Sequence, residues 1–187
     1  EPVKPKNIPI RIFNIDQTLD QPQPFTVIGN GVPTDFRIKS VTSTDDVRTL
    51  TLRGAGVGIT PGILSKVTQA LENQRLNIKS VITTQVAISL LLDKKDVNLA
   101  HRTLQEMRVA GIDIIDESPE LSLIAAVGEG ILDRPGVAAR IFTAVAAKEI
   151  NIQFISFGAS RVAIYFLVNQ ANRDDALNAI HQELFCN

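Results

Sequence analysis

The sequence predicts an α+β fold of two β-α-β-β-α-β units, one inserted in the other. Each should form a four-stranded antiparallel sheet with two helices on one face. Three observations carry this. The stretch Gly54-Ala55-Gly56-Val57-Gly58-Ile59-Thr60-Pro61-Gly62-Ile63 recurs, shifted by 74, as Gly128-Glu129-Gly130-Ile131-Leu132-Asp133-Arg134-Pro135-Gly136-Val137. Each copy stands between an alternating run and a stretch of helical periodicity, the pattern of a strand, a tight turn and an amphipathic helix. The second copy lacks a fourth strand, while an unassigned strand-like run, Phe36–Thr42, lies upstream of the first.

Residues 1–34 hold six of the nine prolines and differ from the rest. Ile8-Pro9-Ile10-Arg11-Ile12-Phe13 alternates like a half-buried strand, with proline at its start, where a missing N–H is tolerated. Asp16 to Pro24 reads as loop. The segment cannot bury a core alone and reads as the end of something larger. In the run Phe36–Thr42, Phe36, Ile38 and Ser40 share a face, and Thr44-Asp45-Asp46 makes a break. Val47 to Arg53 alternates and opens copy one. After the glycine loop, Thr60 is placed to cap a helix with Pro61 at its first position. Ile63, Leu64, Val67, Ala70 and Leu71 follow at helical spacing, and Glu72 to Arg75 close the helix. Ile78–Ile82 and Val86–Leu92 read as strands. Asp96 caps a helix with Val97, Ala100, Leu104 and Met107 on its apolar side, Gly111 ends it, and Ile112–Ile115 is a fourth strand.

Copy two repeats the order: strand Leu121–Val127, the loop, helix Pro135–Lys148, strands Ile152–Phe157 and Val162–Val168, helix Arg173–Leu184. Asn77-Ile78 matches Asn151-Ile152 at the shift of 74, but Val86-Ala87-Ile88 matches Val162-Ala163-Ile164 at 76. Copy one is therefore two residues shorter between its middle strands. A three-stranded copy would leave an unpaired edge, so Phe36–Thr42 is expected to complete copy two. The expected boundaries are 1–34 for the proline-rich segment, 47–118 for copy one, and 36–44 plus 119–187 for copy two. This is the split βαβ, ferredoxin-like arrangement. Its helix-free face must be covered, by the other copy of the same chain or by copies from two chains, and a dimer is expected.

Composition narrows the function. With 44% hydrophobic and 21% charged residues, the 187-residue chain reads as an ordinary globular protein. A net charge of −1 offers no electrostatic footprint for nucleic acid or an anionic membrane. No apolar run approaches the ~20 residues of a membrane span, and no secretion signal is apparent. The one cysteine, Cys186, rules out an internal disulfide and fits a reducing cytoplasm.

Catalytic and metal signatures are lacking. His101 and His181 lie on second helices without cysteine or carboxylate partners at metal-ligand spacing, beyond Glu183 near His181, and read as solvated. No Gly-x-Ser-x-Gly and no zinc cluster occurs. The paired carboxylates Asp45-Asp46, Asp116-Glu117 and Asp174-Asp175 fall at loop or helix starts, where capping explains them. The loop lacks the third Rossmann glycine, since Ile59 holds that place. No acidic residue follows the next strand, and Thr60-Pro61-Gly62 is no P-loop. The same topology serves RNA binding through stacking aromatics, and copy one has no aromatic residue. The loop still has a binding logic. A helix N-terminus offers free N–H groups to a carboxylate, and a neighbouring strand end offers carbonyls to an ammonium; a free amino acid carries both. The alternative is that the glycines only close a tight turn.

Four stretches carry a resemblance. Pro135-Gly136-Val137-Ala138-Ala139-Arg140-Ile141-Phe142, with Asn151-Ile152 and Phe157-Gly158-Ala159-Ser160, is similar to the second ACT domain of the aspartate kinase regulatory region. Leu50-Thr51-Leu52 through Gly62-Ile63-Leu64, with Ile82-Thr83-Thr84, is similar to the first. Asn7 to Asn14 resembles the final strand of the kinase domain, and Lys39-Ser40-Val41-Thr42 the strand linking the two. The resemblance implies a parent enzyme that phosphorylates the side-chain carboxylate of L-aspartate with ATP and Mg²⁺. The kinase signatures are not in these residues, so this chain is expected to have no catalytic residues, cofactor or metal of its own. Its implied role is feedback control and homodimerisation. An end-product amino acid, lysine or threonine, would bind between the loop and strand two at Val57, Gly58, Thr60, Gly62, Ile63, Leu64, Ser80, Val81, Thr83 and Thr84. The equivalents in copy two are Asp133, Arg134, Gly136 and Asn151, in a domain such proteins often keep for packing. Lysine-sensitive members place an acidic residue on strand two, where this chain has Lys79-Ser80-Val81. Lysine would then need Glu117 or a residue across the dimer as its partner. A structural dimerisation module without ligand is the alternative.

Overall fold

A computed structural model describes residues 4–6, 8–13, 26–29, 38–129, 131 and 133–186. The chain divides into two units, residues 1–36 and 37–187. In the first, β1 (Ile10–Ile12) pairs antiparallel with β2 (Thr26–Ile28), Ile10 standing opposite Ile28. The expected half-burial is not found: Ile8, Ile10, Ile12, Phe13, Val27 and Ile28 are all exposed. Two strands alone have no third layer to cover either face. The expected loop from Asp16 to Pro24 lies outside the described residues, as do Phe36 and Arg37.

The second unit holds two sheets with two helices each. Copy one is continuous: β4 (Val47–Arg53), α1 (Ile63–Asn73), β5 (Ile78–Thr83), β6 (Ala87–Asp93), α2 (Val97–Met107) and β7 (Ile114–Glu117), the strands in the order β5-β6-β4-β7. Copy two runs β8 (Leu121–Gly128), α3 (Val137–Ala146), β9 (Phe154–Ser156), β10 (Ala163–Asn169) and α4 (Arg173–Phe185). Its fourth strand is the upstream segment β3 (Ile38–Thr44), which pairs antiparallel with β8, giving β9-β10-β8-β3. The two strand orders are the same, with β3 in the place of β7.

Period-two alternation sends Leu50, Leu52, Ile88, Leu90 and Leu92 to the helix side of the first sheet, against Ile63, Val67 and Leu71 of α1 and Val97, Ala100 and Leu104 of α2. Ile124, Ala126, Ile164, Phe166 and Val168 do the same for α3 and α4. In β3 the simple alternation fails. A bulge between Ile38 and Ser40 shifts the register, so Ile38 and Val41 pack on the core while Ser40 is exposed. Helix ends also move. α1 starts at Ile63 with Gly62 as N-cap, not at Pro61 with Thr60: Gly62 has φ 85°, which a helix cannot include. α2 ends at Met107 with Arg108 in the left-handed region, three residues before Gly111. The fourth strand of copy one accordingly begins at Ile114.

The helix-free faces of the two sheets meet within the chain, burying Val47, Leu91, Leu121, Phe154 and Leu167 together. Covering by the other copy of the same chain, one of the two expected solutions, is thus realised in part. Both crossings between the copies are tied down. At the first, Asp45 accepts hydrogen bonds from Ser122 Oγ (2.6 Å), Gln170 Nε2 (3.1 Å) and Arg173 (2.5 Å), all in copy two. At the second, Glu120 accepts from Lys94 Nζ at 2.6 Å and pairs with Arg48, which also holds Glu117 at 2.5 Å.

Candidate functional site

β4 and β5 both run antiparallel to β6, so their C-terminal ends lie at one end of the first sheet. The glycine loop leaves β4 there and packs on the two connections beside it. Gly54 N donates to Val86 O (3.0 Å), Gly56 N to Gly111 O (3.2 Å) and Gly58 N to Gln85 O (2.8 Å). A Cβ on Gly54 would lie 2.1 Å from the Gly111 oxygen, one on Gly56 2.5 Å from Gly111 Cα, and one on Gly58 2.6 Å from the Gln85 oxygen. Close approach of backbone to backbone therefore demands glycine at all three. Their amides are committed, so they cannot cradle a phosphate.

What remains open is the start of α1. The first N–H groups of a helix find no carbonyl within it, and no side chain caps them here because the N-cap is glycine. Lys66 N is the first to bond back, to Gly62 O at 3.0 Å. Around this terminus Gly58, Thr60, Gly62 and Leu64 are exposed, Val57 is half-buried, and Ile63 is buried with its side chain in the core. On the same end, Thr83 and Thr84 are exposed. Further back along edge strand β5, Val81 is exposed and Ser80 half-buried. Thr84 N bonds to Ala87 O (2.8 Å), and its hydroxyl accepts from Val86 N (3.3 Å). Apolar side chains flank the end: Ile59 is 80% exposed and Val86 58%.

Copy two repeats the geometry. Gly136 caps α3 with φ 89° and no side-chain bond, and Arg140 N bonds back to Gly136 O (2.9 Å). Asp133 and Arg134 are exposed just before this terminus. Asn151 is exposed past the C-terminal end of α3, at the opposite end of the sheet, so the expected second-copy residues are not all brought together. Gly130 and Leu132 lie outside the described residues. Protein-family models for the ACT domain match residues 42–106 and 124–184. The chain is a tandem of ACT domains. The first sheet and its helices are hereafter ACT1, the second ACT2.

The chain is 28% identical, over all of its length, to the bifunctional aspartokinase/homoserine dehydrogenase of Haemophilus influenzae, of which it spans only 23%. Among solved structures, the regulatory subunit of aspartate kinase from Thermus flavus shares 25% identity with a TM-score of 0.70, covering 79% of this chain and 98% of that one. The aspartate kinase of Clostridium acetobutylicum, at 23% identity, has the same fold over 98% of this chain and 42% of its own, with a TM-score of 0.87. The tandem is thus homologous to aspartate kinase regulatory regions.

The charged side chains of β5 and β7 considered for a ligand stand away from the α1 terminus. Lys79 of β5 pairs with Asp93 at 2.9 Å. Glu117, suggested as a partner for a ligand ammonium, stands on β7 at the opposite edge of the sheet, held by Arg48. Sequence reading missed Gly111 and Gln85 as the seats of the loop; the two-residue shortening before Val86 was the signal for the second. Among the described residues, no group of three or more histidine, cysteine, aspartate or glutamate side chains is placed to hold a metal. No helix among them is long and apolar enough to cross a membrane.

Proposed function

We propose that this chain is the regulatory part of an aspartate kinase and that ACT1 binds an end-product amino acid, threonine or lysine, at the start of α1. One observation carries the reading: the N-terminus of α1 is capped by a glycine without a side chain and opens beside the end of an edge strand. The ligand carboxylate would take the free amides of Ile63 and Leu64. Its ammonium would face the end of β5, with Thr83 and Thr84 nearby. Threonine is the better candidate, because no carboxylate of β5 waits for a lysine side chain and Glu117 is engaged elsewhere. A second copy of the chain would cover Ile59, Val81 and Val86 and complete the site. Ligand affinity for one dimer arrangement would then shift an attached kinase domain that phosphorylates L-aspartate with ATP and Mg²⁺ in the cytoplasm. The exposed β1–β2 ribbon suits the edge of that preceding body.

The competing reading is a structural dimerisation module. It is favoured by the loop amides, all three engaged in packing. Calorimetric titration with threonine and lysine separates the two, and no heat from either at millimolar concentration would leave the structural reading. Gly62→Asp sharpens the test. No atom lies within 4 Å of a Cβ there, and aspartate tolerates the left-handed φ of 85° better than most residues. Beyond that backbone cost, the change acts by placing a carboxylate where the ligand's own should sit. Binding should weaken at least about tenfold; unchanged affinity would place the ligand elsewhere.

A further inference from the structure

Beside the apolar contact between the two sheets lies a cleft of 310 Å³. Its ACT1 wall is polar: Thr49, Thr51 and Arg53 from β4, Ser89 from β6 and Asp116 from β7. The register makes this a row, since Thr51 stands opposite both Ser89 and Asp116. Its ACT2 wall includes Gln153 and Phe154.

The internal repeat supplies a control. Where ACT1 has Thr49, Thr51, Arg53 and Ser89, ACT2 has Leu123, Ala125, Val127 and Tyr165 at the same shifts. Inner faces of packed sheets are built from apolar residues, as in ACT2. The ACT1 face carries hydroxyls instead, with one charge of each sign at its solvent-open rim. Thr51 and Ser89 hydroxyls lie 3.0 Å apart, and Arg53 Nε meets Asp116 Oδ2 at 3.2 Å. Neither Arg53 nor Asp116 makes another ion pair among the described residues. The terminal guanidinium nitrogens remain for a carboxylate, and a carboxylate oxygen of Asp116 for an ammonium. The volume sits at the lower end of the range for small-molecule pockets, about 300 Å³.

We propose that this cleft binds a small zwitterion of the α-amino-acid class, its carboxylate on Arg53 and its ammonium on Asp116, separately from the α1 terminus. Because its walls come from both domains, the ligand holds the two sheets at their present spacing.

The test is a titration of the ¹⁵N-labelled chain with each proteinogenic L-amino acid in turn. The amides of Thr51, Ser89, Asp116 and Gln153 report the cleft, and those of Leu64 and Val81 report the α1 terminus. At least one amino acid should shift the cleft amides saturably, and its decarboxylated amine should not. Arg53→Gln and Asp116→Asn should each weaken that response about tenfold or more. Both side chains are 56% exposed, so both variants should fold. Absence of saturable cleft shifts from every amino acid, or an isotherm unchanged by Arg53→Gln, would overturn the proposal. Silence at Leu64 and Val81 would instead sink the α1 site and leave the cleft standing.

Discussion

Gly54→Ala should be among the costliest single-methyl changes in ACT1. The added Cβ would stand 2.1 Å from the Gly111 carbonyl oxygen and 2.9 Å from the Gly111 carbon and Ile112 Cα. All three are backbone atoms, so no side chain can swing aside. Restoring van der Waals separation moves the end of β4 away from the α2–β7 connection by more than about 1 Å. That strains the hydrogen bonds Gly56 N to Gly111 O (3.2 Å) and Asp113 N to Arg53 O (2.7 Å), each contributing about 1 kcal/mol. Overpacking adds about 1–3 kcal/mol, for a loss of roughly 3–5 kcal/mol against a typical total of about 5–15 kcal/mol. Gly62→Ala is the matched control. Its Cβ meets nothing within 4 Å, and only φ 85° opposes it, at about 1–2 kcal/mol. Urea unfolding followed by circular dichroism gives both values. A Gly54→Ala loss no larger than that of Gly62→Ala would refute the view that backbone contact, rather than left-handed conformation, selects glycine in this loop.

Other outcomes follow from the crossings and the strand order. The Ser122 hydroxyl chiefly holds the Asp45 carboxyl below its ordinary value of 3.8, with Arg173 and Gln170 assisting against the opposing effect of burial. A depressed folded pKa contributes stability that is full above the unfolded value and lost as pH falls through the folded one. The stability gap between wild type and Asp45→Asn should therefore be full near neutrality and shrink below about pH 4; urea midpoints across that range test it, and a constant gap would refute it. Val41→Asp puts a carboxylate against the ACT2 core from β3. Hydrogen exchange should accelerate in β8 and β10 while β4–β6 amides stay protected; equal acceleration in both sheets would contradict the pairing.

Much of this fold was legible because the repeat supplies its own alignment. The shift of 74 located both loops, and the missing strand of copy two pointed to β3. What sequence patterns could not give was phase within β3, where one bulge turns Ser40 outward, and the start of α1, where Pro61 and Thr60 imitate a cap that Gly62 provides. Nor could they show that Gly54, Gly56 and Gly58 serve contacts with Gly111 and Gln85, since those partners are distant in sequence. The candidate residues at the α1 start and along β5 do share one end of a sheet, but Ile63 turns its side chain into the core. The cleft facing Arg53 and Asp116 was invisible, because sequence alone does not say which faces of two sheets meet.

The pairing of β3 with β8 also fixes an order of events during synthesis. β3 leaves the ribosome first among the ACT strands, yet its partner is translated only after all of ACT1, with Val41 opposite Ala126. ACT1 is contiguous and can close its own contacts as it emerges. ACT2 must wait with a waiting edge of seven residues, Ile38–Thr44, exposed beside a finished neighbour. A nascent chain that has emerged from the ribosome as far as Glu117 would hold one folded domain and one unpaired strand, which makes that interval the moment when wrong pairing with another chain is most accessible.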